Sequence, residues 1–472
     1  MATDTAPARS EPIAIAVATI GTVMLMLDIS VVNTALSDIS GGLDTGLTGL
    51  QWVIDAYTLP LAAVVLTSGS IADRFGRKRL FMAGMVIFTA ASALCGAAPG
   101  IETLVAARAL QGIGGAILFA TALALISEAT PTPEQRATAL GIFGAAIGAS
   151  FAIGPFIGGA LTQGISWRAI FLVNIPIGLL TLAMATRVTE SRDSHARKVD
   201  VPGQLLLIGG LFLLIFALLR GNPDGWDSTK VVLSFAGAAV LLLGFVLVEH
   251  RSAEPMLPLP LFRQPRFTGP QVLVFGIAAS FFAAFLYATL YLQQVVGLSP
   301  IKTGLAYLPG TFLVFLVSGA TAVLMQRFKP ALLASLGLVL ISAGLLVMTW
   351  TTHVDSGWAS ILPGLLVASV GTGLVNPTGS ALALDALPPS QSGLASGAND
   401  TFRQTGVAVG IAWLGTFVPA EGPFRDPARY VDGVHSAFAA GAILALVCAA
   451  GTALLLLGRD REVEAVVEAE PA

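Results

Sequence analysis

The sequence predicts an all-α integral membrane protein of about fourteen transmembrane helices, built as two six-helix bundles with two additional helices between them. Three observations predict it: a composition too apolar for water, apolar runs of membrane-spanning length repeated along the chain, and a lopsided distribution of Lys and Arg between the connecting loops. Of 472 residues, 55% are hydrophobic and 11% charged, and the mean hydropathy is +0.82. Soluble domains carry about 25% charged residues. This chain has too little polar surface to cover a water-facing particle, and lipid is the solvent that accepts the surplus. The 51 glycines suit membrane helices, where small residues let backbones approach.

About 20 apolar residues cross a bilayer as a helix. Six such runs fall at roughly 13–36, 50–71, 80–98, 102–126, 135–162 and 169–186, two more at 202–219 and 231–249, and six at 267–292, 303–325, 331–350, 358–384, 393–418 and 434–457. The pattern divides the chain into an N-terminal bundle (1–190), a pair of additional helices with their linkers (191–262), a C-terminal bundle (263–458) and a cytoplasmic tail (459–472). With the N-terminus placed inside, seventeen of the 25 Lys and Arg fall in cytoplasmic segments and six in outer ones. Positive charge prefers the inner side, so both termini are expected in the cytoplasm and the chain in the cell (inner) membrane. The first apolar run is full length and carries no small-residue cleavage pattern, so no cleavable signal peptide is expected. The two extra spans have no charge within their interiors and read as lipid-facing.

Composition also excludes. A net charge of −3 gives no reason to expect a nucleic-acid partner. Cys95 and Cys448 sit in apolar runs and read as buried free thiols. The four histidines have no ligand-like spacing, so no metal site is expected. No Gly-rich phosphate loop followed by Lys-Ser/Thr occurs, which leaves ATP coupling unsupported. Nor is there a zinc motif, a pair of catalytic carboxylates or a Ser-based constellation on a span, so an enzyme is not expected.

Two loops placed inside by the charge count resemble each other. Pro133 to Gly141 precedes span five, and Pro389 to Gly397 precedes span thirteen, with Pro, Gln, Ala and Gly matching at one offset. Duplicated halves with a binding site between them are a transporter design.

The ionisable residues inside spans carry the chemistry. Asp28 lies in span one; a carboxylate in hydrocarbon must be paired, wetted or protonated, and reads as a proton or cation site. Asp55 follows Trp52 near the outer start of span two. Arg108, Gln111, Gly112 and Gly115 in span four recur at i, i+3, i+4 and i+7 and share one helix face. A guanidinium there stays charged and demands an anionic or carbonyl partner. At about 1.5 Å per residue, Asp28 stands about 22 Å above the inner end of its span, and Asp55 and Arg108 about 8–9 Å below the outer ends of theirs. All three reach a similar level, which predicts one coupled proton-handling cluster of Asp28, Asp55 and Arg108. Asp28, Asn33, Asp55 and Gln111 are the expected cavity residues. The loop Gly69 to Arg79, with Gly69, Asp73, Arg74, Gly76, Arg77 and Lys78, reads as a turn whose charges orient the chain and latch a helix end. In span five, Gly154, Pro155, Gly158 and Gly159 predict close packing and a bend. Asp400 and Arg403, at i and i+3 near the inner start of span thirteen, are expected to pair as part of an inner gate. Glu128 and Asp385 read as interface residues.

These motifs resemble the major facilitator superfamily, in particular its 14-helix drug:proton antiporter branch, over nearly the whole chain. Gly69, Asp73, Arg74, Gly76, Arg77 and Lys78 look like its signature loop. Arg108, Gln111, Gly112 and Gly114 are similar to its span-four motif, whose arginine is associated with proton coupling. Gly154, Pro155, Gly158 and Gly159 are similar to the span-five motif associated with antiport. Leu27 to Leu36, Trp167 to Gly178, and Leu290 to Gln294 with Gly297, Ser299, Pro300 and Gly304 resemble further stretches of the branch. One departure is plain: the equivalent loop of the second half is reduced to Gln326-Arg327-Phe328-Lys329, with no acidic partner.

The resemblance implies a major facilitator fold and a proton-coupled antiporter that exports amphipathic small molecules, cationic ones included, by alternating access. It would act as a monomer in the bilayer, with no cofactor, driven by the proton gradient. The alternative is a proton-coupled importer of a nutrient or metabolite, and the span-five motif argues against it.

Overall fold

A computed structural model of the chain describes residues 10–130, 132–192, 200–388, 391–419 and 426–469. Among them there is no strand. The helices are α1 (Ser10–Leu43), α2 (Leu47–Phe75), α3 (Arg77–Gly96), α4 (Ile101–Ala129), α5 (Pro133–Gly164), α6 (Ala169–Leu172), α7 (Asn174–Ala185), α8 (Val201–Asp224), α9 (Thr229–Arg251), α10 (Pro265–Ile277), α11 (Ala283–Leu290), α12 (Pro300–Leu324), α13 (Pro330–Thr351), α14 (Leu362–Asp385), α15 (Ser392–Gly415) and α16 (Pro427–Ala469). Two π-helical turns, Ala278–Phe282 and Tyr291–Val295, join α10 and α11 into one span and extend it.

Local chemistry sets many of the boundaries. Proline opens α5, α10, α12 and α13, where its missing N–H costs nothing and its fixed φ fits the first turn. Thr132 and Gln135 form a reciprocal capping box at the head of α5, satisfying two otherwise orphaned donors. Between α2 and α3 the chain turns through Gly76 at φ +115°, a conformation glycine adopts without steric penalty.

Every expected span coincides with helix, and the ends shift by several residues. Eleven helices among the described residues are long and apolar enough to cross a membrane. A twelfth is the bent pair Gly141–Ser150 and Ala152–Gly164, angled by 41°, next to Pro155. The helices at expected spans six and thirteen do not meet that standard: the first is broken and short, and α15 carries Asn399, Asp400, Arg403 and Gln404. The segment expected as a tail after 458 continues α16 as far as Ala469. Of the repeated loops, Pro389 and Ser390 lie outside the described residues.

In the first half of the chain, α4 packs on α1, α2 and α3, and α7 on α1 and α3; in the second, α13 packs on α14 and α16, and α10 on α14, α15 and α16. The halves meet where α5 lies on α12 and α2 on α15. At the end remote from the basic loops, one apolar core runs through both halves, from Val31 and Ile54 to Tyr287, Leu292, Ile411 and Val434. At the basic end a separate core, with Met24, Phe81 and Ile126, belongs to the first half alone. The α5–α12 seam shows the same asymmetry. Thr311 Oγ1 donates to the Ala152 carbonyl at 2.9 Å, and Gly304 lies against Pro155 and Phe156. Toward the basic end the seam parts, and Gly141, Gly144, Gly148 and Gly319 face open space.

The two extra spans divide their duties, which corrects the expectation that both face lipid. α9 does expose its apolar side chains, Leu233, Val240 and Leu243 among them. α8 instead buries Leu207, Leu211, Ile215 and Leu219 in a core shared with α2 and α15. Gln204 Nε2 donates to the Ala63 carbonyl at 2.8 Å, Thr67 bonds the Gln204 amide oxygen, and Asn222 Nδ2 donates to the Thr416 carbonyl at 2.8 Å. Trp52 packs on Phe212 and Phe216. Hydropathy cannot separate the two situations, because lipid tails and a neighbouring helix are equally apolar.

Candidate functional site

The centre of the first half is polar and buried. Asp28 projects from α1, and Arg108 and Gln111 from α4; Asp28 and Arg108 are each 1% exposed and Gln111 is fully buried. Arg108 Nη1 forms an ion pair with Asp28 Oδ2, and also donates to Gln111 Oε1 at 2.8 Å. Its Nε donates to the Val53 carbonyl of α2 at 3.1 Å. Gln111 Nε2 closes the ring by donating to Asp28 Oδ1 at 2.8 Å and to Ser92 Oγ of α3 at 2.9 Å. Asn174, the first residue of α7, adds a second amide to Asp28 Oδ1 at 3.0 Å. The guanidinium lies 4.1 Å over the Tyr57 ring and 5.8 Å from that of Phe171. Gly112 makes this approach possible: a Cβ there would run into the Tyr57 backbone, so any side chain would push α2 away and remove the Val53 carbonyl from Arg108.

Chemically, the arrangement is a charge balance with two states. A buried ion pair is tolerated only when both charges are matched and their remaining valences are bonded. Here Val53 of α2, Gln111 of α4 and Asn174 of α7 supply those bonds. Protonating Asp28 removes the negative charge and leaves the guanidinium with carbonyls and aromatic faces alone.

The structure brings together Asp28, Arg108 and Gln111 of the expected residues. Asp55 is not joined to them. It is fully buried, and neither carboxylate oxygen has a hydrogen-bond partner. Its helix face is marked by Gln51, one turn away, which donates to Tyr287 Oη of the second half at 2.9 Å. Asp55 therefore stands toward the seam between the halves. Asn33 also stays apart; it is half-buried and its amide donates to the Ile29 carbonyl of its own helix. Ser92, Asn174 and Tyr57 were not expected. Asn174 had a usable signal, an amide inside an apolar run; Ser92 had none, since small hydroxyls are common in membrane helices.

The glycines of α5 set its distance from two neighbours. A Cβ on Gly154 would collide with Ser30, and one on Gly158 with Val31 and Thr34, both on α1; one on Gly159 would collide with Pro300 and Ile301 at the head of α12. Pro155 presents its carbonyl to Gly304. These residues build the closed end of the α5–α12 seam.

The loop after α2 is tied within the first half. Arg77 pairs with Asp73 at 3.0 Å and with Glu128 at 2.9 Å, and its backbone N–H donates to the Ser191 carbonyl at 3.0 Å. Lys78 Nζ donates to the Thr186 carbonyl at 2.7 Å. Arg74 stacks beside Phe75 at 5.7 Å, and Gly69 faces open space. Glu190 sits at the N-terminus of α3 and accepts from the backbone N–H groups of Lys78 at 3.1 Å and Arg79 at 3.2 Å. Orphaned donors and the helix dipole both favour an anion there. Glu190→Ala is expected to cost about 1 kcal/mol, as for a lost helix cap; an unchanged thermal midpoint of the purified protein would remove Glu190 from this assignment. Asp400 and Arg403 do pair, and Arg403 reaches to 6.0 Å from the Phe119 ring of the first half. Asp385 is exposed at the end of α14.

Solved structures share this fold. Superposition on the crystal structure of tetrameric PepTSo2 gives a TM-score of 0.65 at 18% identity, covering 96% of this chain and 99% of that one. The human organic anion transporter MFSD10 gives 0.61 at 14% identity, covering 95% and 100%. Sequence relatives are nearer. The methylenomycin A resistance protein of Streptomyces coelicolor is 35% identical over 395 residues, 84% of this chain and 83% of the relative. The multidrug resistance protein Stp of Mycobacterium tuberculosis is 36% identical over 405 residues, 85% of this chain and 74% of the relative. The tetracenomycin C resistance and export protein of Streptomyces glaucescens is 33% identical over 417 residues, covering 87% and 76%. The family profile itself matches residues 18–411, a stretch that holds the ion pair, the α5 glycines and both halves of the seam, and the chain is accordingly a multi-pass membrane transporter belonging to the Major Facilitator Superfamily.

Proposed function

We propose that the chain is a proton-coupled antiporter of the cell membrane, both termini cytoplasmic, that exports amphipathic small molecules, cationic ones included, by alternating access. The observation that carries this reading is the buried Asp28–Arg108 pair and the hydrogen bonds that hold it. A proton delivered to Asp28 discharges one partner of a buried pair, each member only 1% exposed. The remaining guanidinium then favours whichever arrangement of helices offers it a new acceptor, and the two facings differ in free energy by that preference. Asp55 supports the exchange side of the reading. It is a carboxyl buried at the seam without a partner, suited to take a proton or the cationic group of a cargo, so the two would compete. The relatives named for resistance to, or export of, antibiotics support the direction of transport.

In this scheme residues 1–190 and 263–458 are two bodies that rock about the α2–α15 and α5–α12 seams. Helices α8 and α9 complete a fourteen-span chain, one monomer suffices, and no cofactor is needed because the proton gradient supplies the work. The test is accumulation of fluorescent dyes and antibiotics in cells that express the chain, with and without a protonophore. Lower accumulation that the protonophore reverses is the expected result. Accumulation that rises on expression, or a reduction indifferent to the protonophore, would overturn it.

A further inference from the structure

Outside the ion-pair centre, two carboxyl groups meet at the basic end of the extra helices. Asp200 caps α8, its Oδ1 accepting from the Gly203 N–H at 2.9 Å. Glu249, in the last turn of α9 and 3% exposed, accepts from the Leu257 N–H through Oε2 at 3.0 Å. Each carboxyl thus spends one oxygen on a backbone donor. The other two, Asp200 Oδ2 and Glu249 Oε1, are buried and have no donor. They point at the same place: a Cβ on Gly203 would lie 2.7 Å from the first and 3.0 Å from the second. Gly203 has no side chain to come between them.

Among the described residues, the charged groups around Glu249 do not relieve the pair. On its own helix, His250 and Arg251 are exposed, and Arg263, in the 3-10 turn packed beside α9, is exposed as well. On α8 the neighbouring groups are Asp200 and the uncharged Gln204, which bonds the uncharged Thr67 of α2; Asp73 and Arg74 lie about two turns further along α2, and Glu254 of the loop after α9 is exposed. Among the described residues, Asp200 is the charged group that acts on Glu249. Two bare carboxylates facing each other out of water cannot both stay ionised, whereas one shared proton supplies the missing donor and satisfies both orphaned oxygens.

We propose that Asp200 and Glu249 form a proton-binding site, holding one proton between their facing oxygens and clasping the basic ends of α8 and α9 together. The site is separate from Asp28 and does not depend on the transport reading. Its ligand is a proton from the compartment that the basic loops face. Loss of that proton sets two negative charges against each other and loosens the Glu249–Leu257 bond. The loop it holds includes Met256, whose sulfur contacts Thr67 of α2 at 3.2 Å, so the clasp connects acidity on that side to the α2–α8 contact.

The experiment is infrared difference spectroscopy on the full-length purified chain, paired with thermal midpoints across pH. Wild type is expected to show a protonated-carboxyl band at neutral pH that Glu249→Gln and Asp200→Asn each remove and Asp28→Asn leaves in place. Because the folded chain holds a proton that the unfolded chain releases, the wild-type midpoint should fall as pH rises through the site's titration. Glu249→Gln, whose amide donates without titrating, should flatten that fall. Should either carboxyl variant fail to fold, Gly203→Ala drives a methyl between the oxygens and must weaken the same band. A band unchanged by Glu249→Gln or by Gly203→Ala, or an equal fall of midpoint in wild type and Glu249→Gln, overturns the proposal.

Discussion

Asp28→Asn is expected to abolish transport driven by a pH gradient and to destabilise the protein by about 3–5 kcal/mol, the usual cost of stranding one partner of a buried ion pair. Asparagine keeps the size of the side chain and one oxygen for Gln111 and Asn174, so the loss isolates the charge. Arg108 would keep the Val53 carbonyl and the Tyr57 face, neither of which neutralises a guanidinium. The companion Asp28→Asn/Arg108→Gln should recover much of the stability, because no charge is left unmatched, while transport stays lost. That split separates a switch from a structural pair: a purely structural pair would regain transport together with stability. Uptake and efflux in vesicles under an imposed gradient, with thermal midpoints of the same variants, read both quantities. Gradient-driven transport that survives Asp28→Asn would remove the residue from proton handling.

Gly159→Leu should abolish efflux by a different route. The space over Gly159 is occupied by the backbone of Pro300 and Ile301, with the Ile301 Cα 2.7 Å from the place of a Cβ. Backbone at a helix head cannot swing aside as a flexible side chain can, so α5 and α12 must separate at their closed end. Overpacking of this kind costs about 1–3 kcal/mol, enough to move an equilibrium between facings by about tenfold or more. The expected results are an efflux loss of at least about tenfold and faster labelling of a cysteine placed at Thr162, buried near the end of α5, by an impermeant thiol reagent added outside. The native thiols Cys95 and Cys448 are buried and leave the background low. Gly144→Leu is the control, since Gly144 faces open space and should change labelling little. Equal labelling in the two variants would mean that the seam is not the barrier.

Both predictions rest on residues that stand out in the sequence, yet the sequence groups them imperfectly. Asp28 and Arg108 are conspicuous because ionisable groups are rare in apolar runs, and Gln111 follows because it shares a helix face with Arg108. Asp55 has the right depth and the wrong direction. Depth along a helix follows from counting residues, whereas direction requires knowing which neighbour lies on which side. Val53 and Tyr57 face Arg108; Asp55 stands two residues from each, roughly 200° around the helix, and so looks to the seam. Asn174 donates to Asp28, and Ser92 bonds neither charge but accepts from Gln111 and Asn174, each from a helix distant in sequence, and Glu190 caps α3 from beyond α7. No local pattern links such residues, because their meeting is made by packing.

The sequence by itself determined the membrane class, the positions of the helices, the superfamily and the ion pair's two members. It could do so because a bilayer demands long apolar helices and penalises charge inside them, and both demands are written residue by residue. The tertiary structure alone decided that Asp55 stands apart, that α8 fills the groove between α2 and α15 while α9 faces outward, that one end of the α5–α12 seam is shut, and that Asp200 and Glu249 meet. Each depends on the direction a side chain takes from its helix and on which apolar surface happens to be protein instead of lipid. Hydropathy assigns those two surroundings the same value.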